Sequence, residues 1–168
     1  MDSLELGIRD ALANLCADPR VSEPGWDWHG EAIRAVGEVA QRAGHIWLPN
    51  LGAPAWLWDG VALERGSSTD LWSGALVGIP LVLEVDWGGR SDVLYDFKKL
   101  LVARAEHRVM VSGTRANRSG ASQCAAWLVD VIRRFQHGQS GDRYFLASWY
   151  PLKGTAGGEF LFQLYVAP

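Results

Sequence analysis

The sequence predicts a mixed α/β fold, in which helices flank a central sheet within a single domain. Short runs rich in β-branched and aromatic residues recur along the chain, and segments with apolar residues at helical spacing lie between them. The predicted order is helices, two strands, a helix, a strand, a helix and two strands, which is typical of one mixed sheet. With 168 residues, 48% of them hydrophobic, the chain has the length of one domain and enough apolar side chains for a core.

The first half of the chain begins with two predicted helices, because apolar residues recur there at helical spacing until a proline or glycine stops them. A short extended segment and a bulky, aromatic strand follow, and the polar loop 65–69 closes that strand. The predicted elements of this half are a helix at 3–17, a helix at 31–43, an extended segment at 45–48 and a strand at 56–64.

The second half alternates strands with helices. Its first strand, 80–87, is a nearly continuous apolar run, as expected for a strand buried on both faces. Ser91 is a candidate cap for the helix that follows. The predicted elements after this strand are a helix at 92–105, a strand at 108–112, a helix at 121–136, and two strands at 144–149 and 160–166 joined by a glycine-rich hairpin loop.

Composition excludes several classes of protein. No apolar run approaches the ~20 residues that a membrane span needs. The N-terminus lacks the basic start and apolar block of a secretory signal, so we expect a cytoplasmic protein. Two cysteines, Cys16 and Cys124, are too few for a disulfide framework and are expected to be reduced.

The charges are distributed unevenly, although the net charge is only −3. Residues 1–84 contain five basic and twelve acidic side chains, whereas residues 85–168 contain eleven basic and seven acidic ones. An acidic metal site beside a basic phosphate-binding surface would produce this asymmetry, and so would ordinary solvated helix faces. The nine tryptophans are likewise open to two interpretations, a core built from large rings or a surface for base stacking or a partner.

Carboxylates interrupt the two most apolar predicted strands. Glu84 and Asp86 are two residues apart in one strand, so their side chains lie on the same face, and Asp59 interrupts the other. A buried carboxylate needs a cation, hydrogen bonds or a shifted pKa. Converging carboxylates are the ligands that Mg²⁺ or Mn²⁺ prefers. The alternative is that Asp86 lies in solvent at the end of its strand and that Asp59 caps a turn at Gly60.

The segments around these acids resemble the core of the PD-(D/E)xK nuclease superfamily. They are Pro80-Leu-Val-Leu-Glu84-Val-Asp86-Trp87-Gly88, Asp96-Phe-Lys-Lys-Leu-Leu-Val-Ala-Arg104, Arg108-Val-Met-Val111 and the upstream Trp56-Leu-Trp-Asp59. The resemblance covers roughly residues 55–112 and is strongest to branches whose central motif is a Glu-x-Glu/Gln strand followed by an aromatic residue and glycine. It implies a restriction-endonuclease-like αβββαβ core within about 30–150 of a nuclease-like domain that spans 1–168, with the helix at 3–17 as an addition.

Carried over by motif, the resemblance makes Asp59 the first metal-binding acid and Glu84 the second. The lysine usual at the third position is replaced by Asp86, and in some branches that lysine moves to the following helix, where Lys99 matches. A helical wheel instead favours Lys98, because Lys99 points away from the apolar side of the predicted helix. For either lysine, a solvated charge or a pair with Asp96 is the alternative.

The implied activity is phosphodiester hydrolysis with Mg²⁺ or Mn²⁺ as the cofactor, and DNA is favoured over RNA as the substrate. The metal would be held by Asp59, Glu84 and Asp86, while the lysine orients the attacking water or stabilises developing charge. Three arginines on loops after the site strands are candidates for phosphate binding, namely Arg90, Arg115 and Arg118. The alternative function is a catalytically inactive nuclease-fold protein that binds a protein partner or nucleic acid. A homodimer is expected if the protein cuts both strands of a duplex.

Overall fold

The computed structural model describes residues 1–23, 25–50, 57–65, 76–155 and 157–168. Its strands form one mixed sheet flanked by helices. The helices in these ranges are α1 (Ser3–Cys16), α2 (Trp28–Arg42), α3 (Arg90–Leu101) and α4 (Arg118–Arg134), with a 3-10 turn at Pro19–Ser22. The strands are β1 (Ile46–Pro49), β2 (Gly60–Arg65), β3 (Leu76–Asp86), β4 (His107–Gly113), β5 (Arg143–Pro151) and β6 (Gly158–Val166). The predicted mixed α/β class is confirmed.

The strands lie in the sheet in their order along the chain, β1-β2-β3-β4-β5-β6. The first three form an antiparallel meander, β3, β4 and β5 are parallel, and β6 returns antiparallel to β5. Each parallel step needs a crossover, and α3 and α4 supply the two. From α2 to β4 the element order is αβββαβ, the order that the resemblance implies.

The sheet separates two hydrophobic clusters. Leu83 of β3 belongs to the cluster under α1 and α2, whereas its neighbour Val82 belongs to the cluster under α3 and α4. Alternate residues of β3 therefore contribute to opposite faces, and both faces are covered. This arrangement explains the continuous apolar run of the strand, and it directs the even-numbered Glu84 and Asp86 toward the side of α3.

The observed boundaries differ from the predicted ones at strand and helix ends: β2 begins at Gly60 instead of 56, β3 begins at Leu76 instead of 80, and α3 ends at Leu101 instead of 105. Helix α2 begins three residues early because the Asp27 carboxylate accepts a hydrogen bond from the Gly30 amide at 3.1 Å. The expected Ser91 cap is wrong, because α3 already begins at Arg90 and the Asp92 carboxylate accepts from the Gly89 amide at 3.0 Å. Trp56 and the predicted loop 66–69 lie outside the described residues. Among the described helices, none is both long and apolar enough to cross a bilayer.

Candidate active site at the start of β2

Asp59 lies beside Glu84 where β2 begins. The register pairs Gly60 with Leu83 and Val61 with Val82, and one further step brings Asp59 next to Glu84. The Asp59 carboxylate accepts a hydrogen bond from the Val85 amide at 2.8 Å, which holds it against the neighbouring strand. Asp59 precedes β2 and does not interrupt it, yet the two acids are adjacent as the sequence predicted.

Glu84 is a fully buried carboxylate with one cationic partner. Its side chain is 0% exposed, and the Lys99 ammonium lies 2.9 Å from Oε2. The other oxygen, Oε1, is buried and has no hydrogen-bond partner in the described structure. Because a buried carboxylate oxygen needs a donor or a cation, Oε1 is a polar atom whose need for a partner the described residues leave unmet.

Lys99, and not Lys98, reaches this carboxylate. Lys98 is exposed, whereas Lys99 also pairs with the Asp96 carboxylate at 2.7 Å. The preference of the helical wheel for Lys98 is therefore wrong. The wheel identifies the side of α3 that packs on the sheet. Glu84 lies next to a different side of the helix, the flank that carries Asp96 and Lys99 one turn apart. The long lysine stem covers the remaining distance.

Burial and neighbouring charge shift the pKa values of this pair. Burial raises the pKa of Glu84 to about 8, with Lys99 opposing the shift and the negative charge of Asp59 adding to it. Burial by itself lowers the pKa of Lys99, but its hydrogen bonds to Asp96 and Glu84 outweigh burial and raise the pKa above its usual value. The site thus combines a carboxyl that is costly to ionise with a firmly charged ammonium.

Asp86 is partly buried at the end of β3. One oxygen accepts a hydrogen bond from the Gly88 amide at 2.6 Å, whereas Oδ2 is buried and lacks a partner among the described residues. Burial raises the pKa of Asp86, and the charges of Asp96, Asp92 and Asp59 add to the shift while the Gly88 amide opposes it. This carboxylate is not the freely solvated side chain of the alternative interpretation.

A different set of side chains forms the tightest group of possible metal ligands. Within the described ranges, Asp2, Glu5 and His107 are the three residues whose ligand atoms all lie within 4.8 Å of one another, and Asp59, Glu84 and Asp86 form no such group. Glu5, however, is already bound by the Arg143 guanidinium at 2.7 and 2.9 Å. Burial raises the pKa of Glu5, but the hydrogen bonds from Arg143 and the Asp2 amide outweigh burial and hold the pKa below its usual value. The group ties α1 to the starts of β4 and β5.

Two of the three predicted phosphate-binding arginines border one cavity. Arg90 and Arg115 line a cavity of about 960 Å³ at the carboxyl ends of β3 and β4, whereas Arg118 is not among its lining residues. The Arg90 guanidinium lies over the Trp127 indole, 4.2 Å from the ring centroid.

Sequence reasoning missed two residues at the carboxylate site. Asp96 was considered only as an alternative partner for a lysine, although its spacing to Lys99 places both on one helical flank. The His29 ring nitrogen Nε2 lies 3.9 Å from an Asp59 oxygen. No local pattern identifies His29, because thirty residues separate it from Asp59 and only the docking of α2 on the sheet brings the two together.

The fold and site define a mixed α/β protein with a buried carboxylate–lysine pair beside a second carboxylate. Comparison of the chain with protein-family models, with curated proteins and with solved structures yields no match.

Proposed function

We propose that the protein is a metal-dependent phosphodiester hydrolase, a nuclease of the PD-(D/E)xK type. The observation that carries the proposal is the ion pair between Lys99 and the buried Glu84, with Asp59 alongside. Two carboxylates and a lysine on adjacent elements are the set of groups that this chemistry uses. The αβββαβ order of α2 to β4 supports the proposal, and the preference for DNA over RNA rests on the resemblance in sequence.

The donors are of the type that Mg²⁺ or Mn²⁺ prefers. Glu84 Oε1 and Asp86 Oδ2 are buried oxygens without hydrogen-bond partners in the described structure, and carboxylate oxygens are suitable ligands for hard cations. Asp59, Glu84 and Asp86 would hold the ion, and because their oxygens do not all lie within 4.8 Å of one another in the described structure, binding would draw the three carboxylates together. The chemistry that a divalent ion supplies is polarisation of the scissile phosphate and acidification of water.

Lys99 has two roles in the proposed reaction. Its ammonium donates a hydrogen bond to Glu84 in the resting protein, and Asp96 holds the same ammonium from the other side. A phosphate that approaches Glu84 therefore meets a positioned donor that stabilises negative charge as it develops on the phosphate oxygens. Asp96 acts as a positioning residue because its ion pair in the described structure is with the lysine and not with Glu84.

The test is cleavage of plasmid DNA, single-stranded DNA and RNA with Mg²⁺ or Mn²⁺. We expect metal-dependent cutting of DNA by the wild type, and Lys99→Met and Glu84→Gln should each reduce the rate by ~100-fold or more. Lys98→Met is the matched control, because it removes the exposed neighbouring lysine and should keep wild-type activity. Cutting that persists in Glu84→Gln, or that is lost equally in Lys98→Met, contradicts the proposal.

The second candidate is an inactive nuclease-fold protein that binds a protein or nucleic acid. It is favoured by the contact between Lys99 and Glu84, since this pair already satisfies one oxygen of the central carboxylate. The two candidates differ in their response to metal, because a ligand that binds the native state must raise the melting temperature. A folded protein that neither cuts DNA nor is stabilised by Mg²⁺ or Mn²⁺ supports the binder and overturns the enzyme.

A further inference from the structure

A cavity between the first turns of α3 and α4 has no assigned role. It lies at the carboxyl ends of the parallel strands, where open α/β sheets commonly bind ligands. Its volume of about 960 Å³ falls within the usual range for small-molecule sites. It adjoins the carboxylate site without including it, because Asp86 directly precedes the lining residue Trp87, whereas Lys99 is nine residues from Arg90 on α3, about 14 Å along the helix axis.

Two arginines of the cavity lining have no ion-pair partner among the described residues. Neither Arg90 nor Arg115 has a carboxylate within 4.0 Å in the described structure, whereas Arg108 and Arg143 are both paired. No acidic residue is among those that line the cavity. The Arg90 guanidinium lies over the Trp127 indole, 4.2 Å from the ring centroid, and a guanidinium held in this way can still donate its N–H groups to an anion.

The backbone of the Gly88-Gly89 turn does not supply the anion contact. Its two amides already donate to the carboxylates of Asp86 and Asp92. These negative groups repel an anion from that rim of the cavity. A phosphate is therefore directed to the two arginine side chains.

The walls of the cavity are aromatic. Trp87, Trp127 and Trp149 all contribute to its lining. Trp87 and Trp149 also pack on Trp28 and on each other, and Arg90 lies over the Trp127 ring, so a nucleobase would stack on the parts of these rings that face the cavity. A cavity that combines indole walls with two guanidinium groups that lack an ion-pair partner matches a ligand with a planar ring and a phosphate.

We propose that this cavity binds a single nucleotide, with its base against an indole and its phosphate held by Arg90 and Arg115. The inference rests on the proposed function in taking nucleic acid as the substrate class. A strand seated there extends naturally to the carboxylate site, because the lining residue Trp87 directly follows Asp86. The ligand is either one unit of a single strand or a free nucleoside monophosphate.

The test is isothermal titration of the full chain, in EDTA, with a nucleoside 5′-monophosphate, a single-stranded hexanucleotide, inorganic phosphate and a blunt duplex. We expect the mononucleotide and the hexanucleotide to bind, and phosphate alone to bind much more weakly. Arg90→Gln and Arg115→Gln should each weaken binding by roughly tenfold, as expected for the loss of a charge-assisted contact. Tighter binding of the hexanucleotide identifies a strand as the ligand, and equal binding identifies the free nucleotide.

A negative charge placed at the mouth of the cavity tests the proposal without the risk that the variant fails to fold. Gln123 is an exposed lining residue, so Gln123→Glu introduces repulsion without disturbing the core, whereas Ser122→Glu adds the same charge to an adjacent exposed position of α4 that is outside the lining. We expect Gln123→Glu to weaken nucleotide binding by severalfold and Ser122→Glu to leave it unchanged. The proposal is overturned by absence of binding, by equal effects of the two variants, or by equal binding of inorganic phosphate.

The two proposals fail separately. Binding is measured without metal, so nucleotide binding that persists in a protein unable to cut DNA contradicts only the proposed hydrolysis. Cutting by a protein whose Gln123→Glu variant binds normally contradicts only the cavity.

Discussion

At the scale of single residues, Lys99 illustrates how a side chain reaches a partner that a helical wheel does not indicate. The wheel separates the apolar side of α3 from its polar side. Its use to choose a lysine assumes that a functional side chain points toward the centre of the sheet. Glu84 lies at the side of α3. The Lys99 side chain extends to Glu84, and Asp96 holds the Lys99 ammonium in place. A flexible charged side chain responds to the nearest opposite charge, which a periodic pattern does not describe.

The buried Glu84 predicts a specific pH dependence of stability. Its pKa is about 8 in the folded protein against an ordinary value of 4.5, so folding favours the protonated form. The protonated Glu84 contributes its full stabilisation at a pH below the pKa that it has in the unfolded chain. This contribution is lost as the pH rises through the pKa that Glu84 has in the folded protein. Between about pH 5 and 8, the unfolding free energy of the wild type should therefore fall relative to that of Glu84→Gln, by up to roughly 1.4 kcal/mol per pH unit.

Urea unfolding of both proteins across this pH range measures the difference. Glutamine keeps the shape of the side chain and removes the titration, so the comparison isolates the carboxyl group. Parallel pH profiles for the two proteins would show that the carboxyl of Glu84 ionises without penalty in the fold.

At the scale of elements, one tryptophan sets the distance between a helix and the edge of the sheet. The Trp47 indole of β1 lies against Gly37 of α2 and against Gly60 at the start of β2, and a Cβ atom at either glycine would overlap the ring. The two glycines are therefore needed for close packing. This contact positions the start of β2, and hence Asp59, under α2.

We predict that Gly37→Ala destabilises the protein. Alanine is the better helix former by about 1 kcal/mol, but the added methyl group forces the Trp47 ring to move, and overpacking of this kind costs roughly 1–3 kcal/mol. In a Trp47→Leu background the ring is absent, so the same substitution should be neutral or stabilising. Chemical denaturation of the four proteins of this double-mutant cycle gives the coupling, and additive effects would contradict the proposed overlap.

At the scale of the whole molecule, the sheet joins the acidic and basic halves of the chain. Glu84 of the first half pairs with Lys99 of the second, and Glu5 of the first pairs with Arg143 of the second. The uneven distribution of charge along the sequence is thus partly cancelled in space by contacts between the halves. Neither interpretation of the charge pattern, a metal site beside a phosphate surface or solvated helix faces, includes these pairs.

Because the same strands support both hydrophobic clusters, we predict one cooperative unfolding transition. Leu83 lies in the cluster under α1 and α2, and Met110 lies in the cluster under α3 and α4. Leu83→Ala and Met110→Ala should each destabilise the protein by about 2–5 kcal/mol and shift a single transition. Coincident curves from tryptophan fluorescence and far-ultraviolet circular dichroism are expected, and separate transitions for the two variants would show that the faces unfold independently.

Much of the fold follows from patterns along the chain. Helical spacing, a proline after α1 and a continuous apolar run in β3 place the elements and their order, because each pattern reflects a preference that acts over a few neighbouring residues. Strand alternation likewise puts Glu84 and Asp86 on one face without any knowledge of the rest of the molecule. The charge of a carboxylate in an apolar strand is sufficient to mark Glu84 as a candidate for function.

Packing between distant segments determines the features of the site that local sequence patterns do not predict. The selection of Lys99 over Lys98, the approach of His29 to Asp59, the network around Glu5 and the cavity beside Arg90 all depend on how helices and strands dock across the sheet. Such contacts join residues far apart in the chain, and their distances are set by the volumes of the side chains between them. Local patterns are encoded within a few residues, whereas the geometry of the site emerges only when the whole core is assembled.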